Sequence, residues 1–140
     1  MFDAGVAAES ISQGLLPFLV YFLVGCALTG GFVALYTAVT PHKELPLLRA
    51  NNTGAAISFS GALIGFGIVM AYLIAQSVTV IEFLVWGILA GAVQLGAFFA
   101  FRAVVKDIST RIEGGEVAAP LALAASHVTV GLLNAASLTY

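Results

Sequence analysis

Residues 121–140 read LALAASHVTVGLLNAASLTY, a run of twenty residues without a Lys, Arg, Asp or Glu. A helix of this length spans about 30 Å, the thickness of the hydrocarbon core of a bilayer. The run also contains His127, whose side chain is costly in an apolar medium unless it has a hydrogen-bond partner. The stretch therefore predicts a transmembrane helix and a polar partner for His127.

The composition of the chain is typical of a membrane protein. Its 140 residues are 61% hydrophobic and 9% charged, and a soluble domain needs more polar surface than this. Three further uncharged runs, 10–41, 50–81 and 83–101, are about as long as a membrane span requires. We therefore predict an all-α membrane protein with four transmembrane helices, near 15–39, 52–75, 83–102 and 117–138.

The basic residues predict the orientation. All five fall within two loops, 42–51 and 102–116. Loops rich in Lys and Arg stay in the cytoplasm, so we expect both loops there and both chain termini outside. In the first loop, His42, Lys43 and Glu44 are expected to be solvated and to meet anionic headgroups.

The two halves of the chain share one plan: an apolar helix, a short basic loop, and a helix that begins with small residues. This plan predicts two tandem hairpins, 15–75 and 83–140, that are parallel repeats related by an axis along the membrane normal. Residues 1–14 are expected to form an external segment, and residues 76–82 an external connection.

Small residues recur along the predicted helices and indicate where they pack. Helices in a bilayer associate through close packing, and small residues let two backbones approach. Such faces serve packing within one chain and between copies alike, and we expect a homo-oligomer. The predicted packing residues are Gly54, Ser58, Gly61, Gly65, Gly87, Gly91 and Gly131.

A layer of polar residues is expected near the middle of the membrane. At 1.5 Å per residue, Gln94 and His127 lie roughly 12 to 17 Å from the cytoplasmic ends of their helices. Their side chains can therefore form a hydrogen bond, with the imidazole neutral. Interhelical glue and a proton or solute path both remain open as roles for the layer. Its predicted members are Thr29, Ser60, Gln94, His127 and Asn134.

A second polar group lies near the predicted starts of helices two and four. Asn51 and Asn52 are expected to cap helix two, and Glu116 to cap helix four and complement its dipole. The alternative is a cytoplasmic polar patch, including Glu44, that holds an anion through backbone donors. The negative charge of Glu116 argues against that alternative.

Motifs for enzymatic chemistry are missing from the sequence. It has no nucleophile elbow, no HExxH and no glycine-rich phosphate loop. The single cysteine, Cys26, provides neither a disulfide framework nor a metal cluster. We therefore expect no catalytic residue, no metal, no cofactor and no nucleic-acid partner.

Three stretches, 44–68, 85–99 and 111–136, resemble the YjfL-type bacterial inner-membrane family, domain of unknown function three hundred and fifty. That family has an acidic residue and an Asn-x-small-small-Ala element at the start of its second helix, which fall on Glu44 and on 52–56. Glu116 departs from the Asn that often recurs in the second repeat. The resemblance implies a four-helix protein of the bacterial inner membrane and supplies no activity.

Two functional hypotheses follow from these features. The first is a non-enzymatic inner-membrane component that self-associates or binds another membrane or cytoplasmic protein, in a system of envelope maintenance. The alternative is a small channel or transporter subunit whose path runs around Gln94 and His127. Recovery of a partner after crosslinking would favour the first, and a flux lost on changing His127 would favour the second.

Overall fold

A computed structural model describes residues 3–139 and contains no strand within them. Four long helices are each long and apolar enough to cross a membrane, and two six-residue helices join them in pairs. The predicted all-helical class with four candidate spans is confirmed. In chain order the helices are α1 (Ala4–Val39), α2 (Glu44–Arg49), α3 (Thr53–Gln76), α4 (Val80–Val104), α5 (Ile108–Glu113) and α6 (Ala118–Ser137).

The short helices α2 and α5 lie at one end of the bundle, which we call the basic end because the five basic residues are there. In α5, Ile108 and Ile112 are fully buried, and their spacing of four residues places both on one helix face. That face packs against the ends of the long helices. In α2, Glu44 is also buried. His42 and Glu44 are therefore not solvated as expected from the sequence, whereas Lys43 is exposed.

Helix α1 begins earlier than expected. Asp3 caps it by accepting a hydrogen bond from the Gly5 backbone N–H at 2.9 Å, so residues 4–14 of the segment predicted to precede the first helix form its beginning. At 1.5 Å per residue the 36 residues of α1 span about 54 Å, whereas the 24 residues of α3 span about 36 Å. Residues 3–19 are exposed, so α1 begins away from the other helices.

Helices α3 and α6 both begin at the basic end, run parallel and pack backbone to backbone. A Cβ atom added to Gly61 would overlap Ala124, and one added to Gly65 would overlap the His127 carbonyl group. Gly131 approaches the Gly65 backbone in the same way. Only glycine permits such contact, because any side chain would occupy the space of the facing helix. We call this contact the glycine seam.

The remaining predicted packing residues differ in how closely they pack. A Cβ added to Gly54 would lie 2.5 Å from the Glu116 carbonyl oxygen, at the start of the glycine seam. At Gly87 the nearest atom, 2.6 Å away, is the flexible end of Leu28. At Gly91 the nearest ring is 3.6 Å away, an ordinary contact. Ser58 is fully buried and donates a hydrogen bond to its own helix.

Helix α1 joins the bundle mainly through aromatic contacts. Its buried residues are Gly25, Phe32 and Tyr36. Phe32 stacks on Phe66 of α3 with ring centroids 4.4 Å apart, and Tyr36 meets Phe98 of α4 edge to face. Such pairs contribute about 0.5–1.5 kcal/mol each beyond the area that they bury. The inner end of α1 is therefore anchored beside α3 and α4.

Candidate functional site

Gln94 of α4 and His127 of α6 are fully buried and joined by two hydrogen bonds. The Gln94 Nε2 donates to the His127 backbone oxygen at 3.2 Å, and the His127 Nδ1 lies 2.7 Å from the Gln94 Oε1. Because an amide oxygen only accepts, the hydrogen between them belongs to Nδ1. The hydrogen bond predicted from the depth of the two residues is present.

Tyr36 of α1 extends this pair toward the basic end. Its ring lies edge-on to the His127 imidazole, with centroids 5.7 Å apart, and it is fully buried. The Tyr36 hydroxyl and the His127 Nε2 have no hydrogen-bond partner among residues 3–139. Two polar atoms able to carry a proton are therefore buried in the same region.

The other predicted members of the midplane layer are placed differently. Thr29 is half-buried and Ser60 is exposed, so neither completes a layer around His127. Asn134 is half-buried, and its Nδ2 is buried without a partner in the described part of the chain. The polar residue that α1 places beside His127 is Tyr36 and not the expected Thr29. Tyr36 follows Phe32 by four residues and therefore shares its helix face. This spacing is the sequence signal that could have indicated that Tyr36 is buried.

A second buried polar group, the basic-end cluster, consists of Thr40, His42, Glu44 and Ser109. The first three are almost fully buried and Ser109 is half-buried. His42 Nδ1 lies 2.9 Å from the Ser109 Oγ, and its Nε2 lies 2.8 Å from the Glu44 Oε1. That second contact has the distance of an ion pair, although the N–H direction does not fit a hydrogen bond.

The hydroxyl of Thr40 connects the basic-end cluster to α1. Its Oγ1 lies 2.8 and 2.9 Å from the two Glu44 carboxyl oxygens and 2.9 Å from the Tyr36 carbonyl oxygen. One hydroxyl hydrogen cannot serve three acceptors at once. When Glu44 carries a proton it can donate to Thr40, and when it is ionised it can accept from Thr40. The carboxyl group is thus held by contacts that suit both forms.

The two polar groups meet at Tyr36 and Phe98. The Phe98 ring lies between them, 5.8 Å from the Tyr36 ring and 6.0 Å from the His42 ring. Polar side chains are therefore buried both at the basic end and in the membrane-spanning part of the bundle, with the Phe98 ring between them. We call them the buried polar line, and its members are Ser109, His42, Glu44, Thr40, Tyr36, His127 and Gln94.

Asn52 caps a helix as expected. Its Oδ1 accepts a hydrogen bond from the Ala55 N–H at 2.8 Å, and its Nδ2 donates to the Glu113 carbonyl oxygen at 3.2 Å. The second bond ties α3 to α5. Asn51 has a positive φ of 60°, a left-handed conformation that Asn tolerates better than most residues, and it turns the chain between α2 and α3.

Glu116 does not cap a helix, so that prediction is wrong. Its Oε2 lies 2.7 Å from the Arg111 Nε in a half-exposed ion pair. The residue at the capping position of α6 is Val117, which makes no side-chain cap hydrogen bond. Glu44 is likewise part of the basic-end cluster rather than of a patch with Asn52. Glu116 lies one residue before the capping position, and its carboxylate pairs with Arg111 instead.

The side chains of the basic-end cluster do not form a set of metal ligands. Within residues 3–139 there is no group of three or more His, Cys, Asp or Glu side chains that could hold a metal ion. The basic-end cluster brings together one imidazole and one carboxylate, and its remaining members are hydroxyl groups. Such a set is suited to hydrogen bonding.

Comparison with known proteins assigns the chain to a family. The family model described as Domain of Unknown Function (DUF350) matches residues 10–138. The chain belongs to this family. It is 32% identical over 130 residues to the inner membrane protein YjfL of Escherichia coli K12 and to that of Escherichia coli O157:H7, which covers 93% of this chain and 98% of each relative. No solved structure matches the chain.

The family match confirms the resemblance drawn from the sequence motifs. The matched region contains every member of the buried polar line, from Tyr36 to His127. The line therefore belongs to the DUF350 part of the chain rather than to its first residues.

Proposed function

We propose that this DUF350 protein conducts protons along the buried polar line, as a small channel or transporter subunit without catalytic activity. We place it in the bacterial inner membrane, where the names of its YjfL relatives locate them. The observation that carries the proposal is the fully buried pair of His42 and Glu44, with nitrogen and oxygen 2.8 Å apart. Buried ionisable groups are costly, and in membrane proteins they are candidates for functional sites, with proton relays among the known roles.

The unpartnered atoms in the line support conduction over a purely structural role. Interhelical glue requires each buried polar atom to be paired, because an unpaired one costs about 1–3 kcal/mol. The Tyr36 hydroxyl and the His127 Nε2 are buried and unpaired within the described residues. In a proton path, water or the migrating proton itself occupies such positions.

The order of the polar side chains along the line supports a proton entrance at the basic end. Ser109 is half-buried and lines an open cavity, and His42 lies directly behind it. Under the positive-inside rule this end faces the cytoplasm, and we propose that orientation here. Beyond His127 the next polar residue on the same face of α6 is Asn134, seven residues further along.

Proton flux into sealed vesicles tests this proposal. The purified chain is reconstituted into liposomes with a pH-sensitive dye inside, and a potassium diffusion potential drives proton entry. We expect flux with the parent chain and its loss in Glu44→Gln and His127→Asn, because an amide forms hydrogen bonds but does not titrate at these pH values. Flux no greater than that of protein-free vesicles would overturn the proposal.

A matched control separates conduction from damage to the fold. Ser60→Ala changes an exposed polar residue of the predicted layer and should leave the flux unchanged. Thermal unfolding of all three variants, followed by circular dichroism, shows whether the bundle is intact. A well-folded Glu44→Gln variant with full flux would also contradict the proposal.

We propose self-association as a second property, because α1 has little contact with the rest of the chain. Gly14, Gly30 and Gly31 of α1 have no atom near the position of an added Cβ. A helix with small residues on an unoccupied side can pack against a second copy in a bilayer. A partner protein could use the same exposed surface of α1.

Gly30→Ile tests this property without disturbing the monomer, since nothing lies within 4 Å of the added Cβ. We expect crosslinked dimers in lipid nanodiscs for the parent chain and at least a severalfold loss in this variant. Gly96→Ile of α4, which also has open space, is the control and should keep the dimers. A parent chain that remains monomeric would refute self-association.

A further inference from the structure

A polar cavity of about 360 Å³ opens beside the basic-end cluster. It lies between the end of α4 and the start of α5, and two positive side chains and two hydroxyl groups border it. Asp107 also borders the cavity, so the lining carries two positive charges and one negative charge. The lining residues are Pro41, Arg102, Lys106, Asp107, Ile108, Ser109 and Thr110.

We propose that this cavity binds a phosphate group, presented by an anionic phospholipid headgroup or by free inorganic phosphate. The guanidinium of Arg102 offers paired N–H donors that fit phosphate oxygens, and Lys106 adds a second positive charge. The hydroxyls of Ser109 and Thr110 supply further donors. The cavity lies where α4 leaves the apolar part of the chain, at the level at which lipid headgroups are found.

A fully buried residue behind the cavity gives the site its second support. Ser109 lines the cavity, and its Oγ lies 2.9 Å from the Nδ1 of His42, which has no exposed surface. When a phosphate oxygen accepts the Ser109 hydrogen, the serine oxygen is free to accept from the His42 Nδ1–H. The ligand is thereby connected through Ser109 to His42 and, across 2.8 Å, to Glu44.

This connection makes His42 a reporter of the site. Occupation by phosphate fixes a hydrogen on Nδ1, so in the neutral ring the Nε2 lone pair faces the Glu44 carboxyl group as an acceptor. Binding itself does not depend on the proton path of the proposed function. Phosphate binding without proton flux would contradict the proposed conduction and support the phosphate site. Proton flux without phosphate binding would support conduction and contradict the site.

Titration of the full chain in phosphatidylcholine nanodiscs with inorganic phosphate tests the site, with histidine ¹⁵N NMR as the readout. The chain has two histidines, so His127→Asn assigns both signals. We expect the His42 signal to move with phosphate and the His127 signal to stay. Arg102→Gln and Lys106→Gln should each weaken binding about tenfold, since each removes a charge-assisted contact. Arg49→Gln, which removes an equal charge from α2, is the control.

A second set of nanodiscs contains phosphatidylglycerol and no free phosphate. A shift of the His42 signal there identifies a lipid headgroup as the source, and a shift with inorganic phosphate alone identifies the free ion; both support the site. No shift in either arm, or equal weakening by Arg49→Gln and Arg102→Gln, would overturn it. In Ser109→Ala the His42 response should disappear, and its persistence would overturn the connection through Ser109.

Discussion

Gln94 holds His127 through two hydrogen bonds of different kinds. One runs from the amide nitrogen to the backbone of α6, and the other joins the amide oxygen to the imidazole. The backbone bond survives any change of the histidine side chain, whereas the loss of the glutamine removes both. The two residues are therefore unequal members of the pair.

At the level of these residues we predict that Gln94→Ala destabilises the bundle more than His127→Ala. Gln94→Ala leaves both the His127 Nδ1–H and its backbone oxygen without this partner, at a cost of about 1–3 kcal/mol for a buried unpaired group. The double variant should cost less than the sum of the two, because they share one bond. Unfolding free energies in mixed micelles measure this, with Ser126→Ala as the control.

Ser126 bonds only to the preceding turn of its own helix, so its replacement should have little effect. Strictly additive costs for Gln94→Ala and His127→Ala would show that the side-chain bond does not contribute. A larger cost for His127→Ala would show that ring packing against Tyr36 outweighs the bonds.

Sequence predicts the Gln94–His127 pair because both residues lie on regular helices, where the rise per residue fixes their depth. It does not predict the burial of His42 and Glu44, since His42 lies in a bend and Glu44 begins a six-residue helix, both too short to show a period. Ser60 is exposed, contrary to the prediction, because of its position around the helix axis. It adjoins Gly61, which faces α6, and one residue along a helix turns the side chain by about 100°.

The glycines of the long helices include two kinds, those in the glycine seam and those that face outward. Gly61 lies against the α6 backbone, whereas Gly67 of α3 and Gly96 of α4 have no atom within 4 Å of an added Cβ. The three glycines are alike in sequence, since each is in an apolar run. Only the packing of the helices separates those at a contact from those facing outward.

For these elements we predict that Gly61→Ile destabilises the bundle by about 1–3 kcal/mol or more, the usual cost of overfilling a packed contact. Gly67→Ile should be close to neutral because its side chain enters open space. Gly91→Ala should also be tolerated, since its Cβ would make ordinary contacts. Thermal unfolding in detergent compares the three, and a neutral Gly61→Ile would show that the seam is not tightly packed.

The long helices were predictable because apolar runs of about twenty residues have one stable form in lipid. The start of α1 at Ala4 was not, since residues 4–14 mix polar and small residues and the Asp3 cap is a weak signal in isolation. Helices α2 and α5 have six residues each. That is shorter than the 11–18-residue window in which a helical period can be read.

The whole molecule repeats one order twice, a long helix, a six-residue helix and a long helix. That the halves are repeats related by an axis stays a prediction. Their charges are distributed alike, since every Lys and Arg lies between residues 43 and 49 or between 102 and 111. One end of the molecule is consequently basic, and the opposite end has none of these residues.

For the whole molecule we predict that the basic end faces the cytoplasm. In a Cys26→Ala background, Thr110→Cys should resist a membrane-impermeant thiol reagent in intact cells, and Val78→Cys, at the opposite end and highly exposed, should react. Permeabilised cells are the control, in which both should be labelled. Labelling of Thr110→Cys alone in intact cells would reverse the orientation.

In the contact between α3 and α6, three glycines present a hydrogen atom where other residues have Cβ. The direction of that C–H bond leads to the carbonyl oxygen of Glu116 from Gly54, of His127 from Gly65, and of Gly65 from Gly131. Cα–H···O=C contacts of this kind contribute about 0.5–1 kcal/mol each. Main-chain atoms alone thus supply polar attraction between the two helices. Lipid chains, having no acceptor, cannot compete for it.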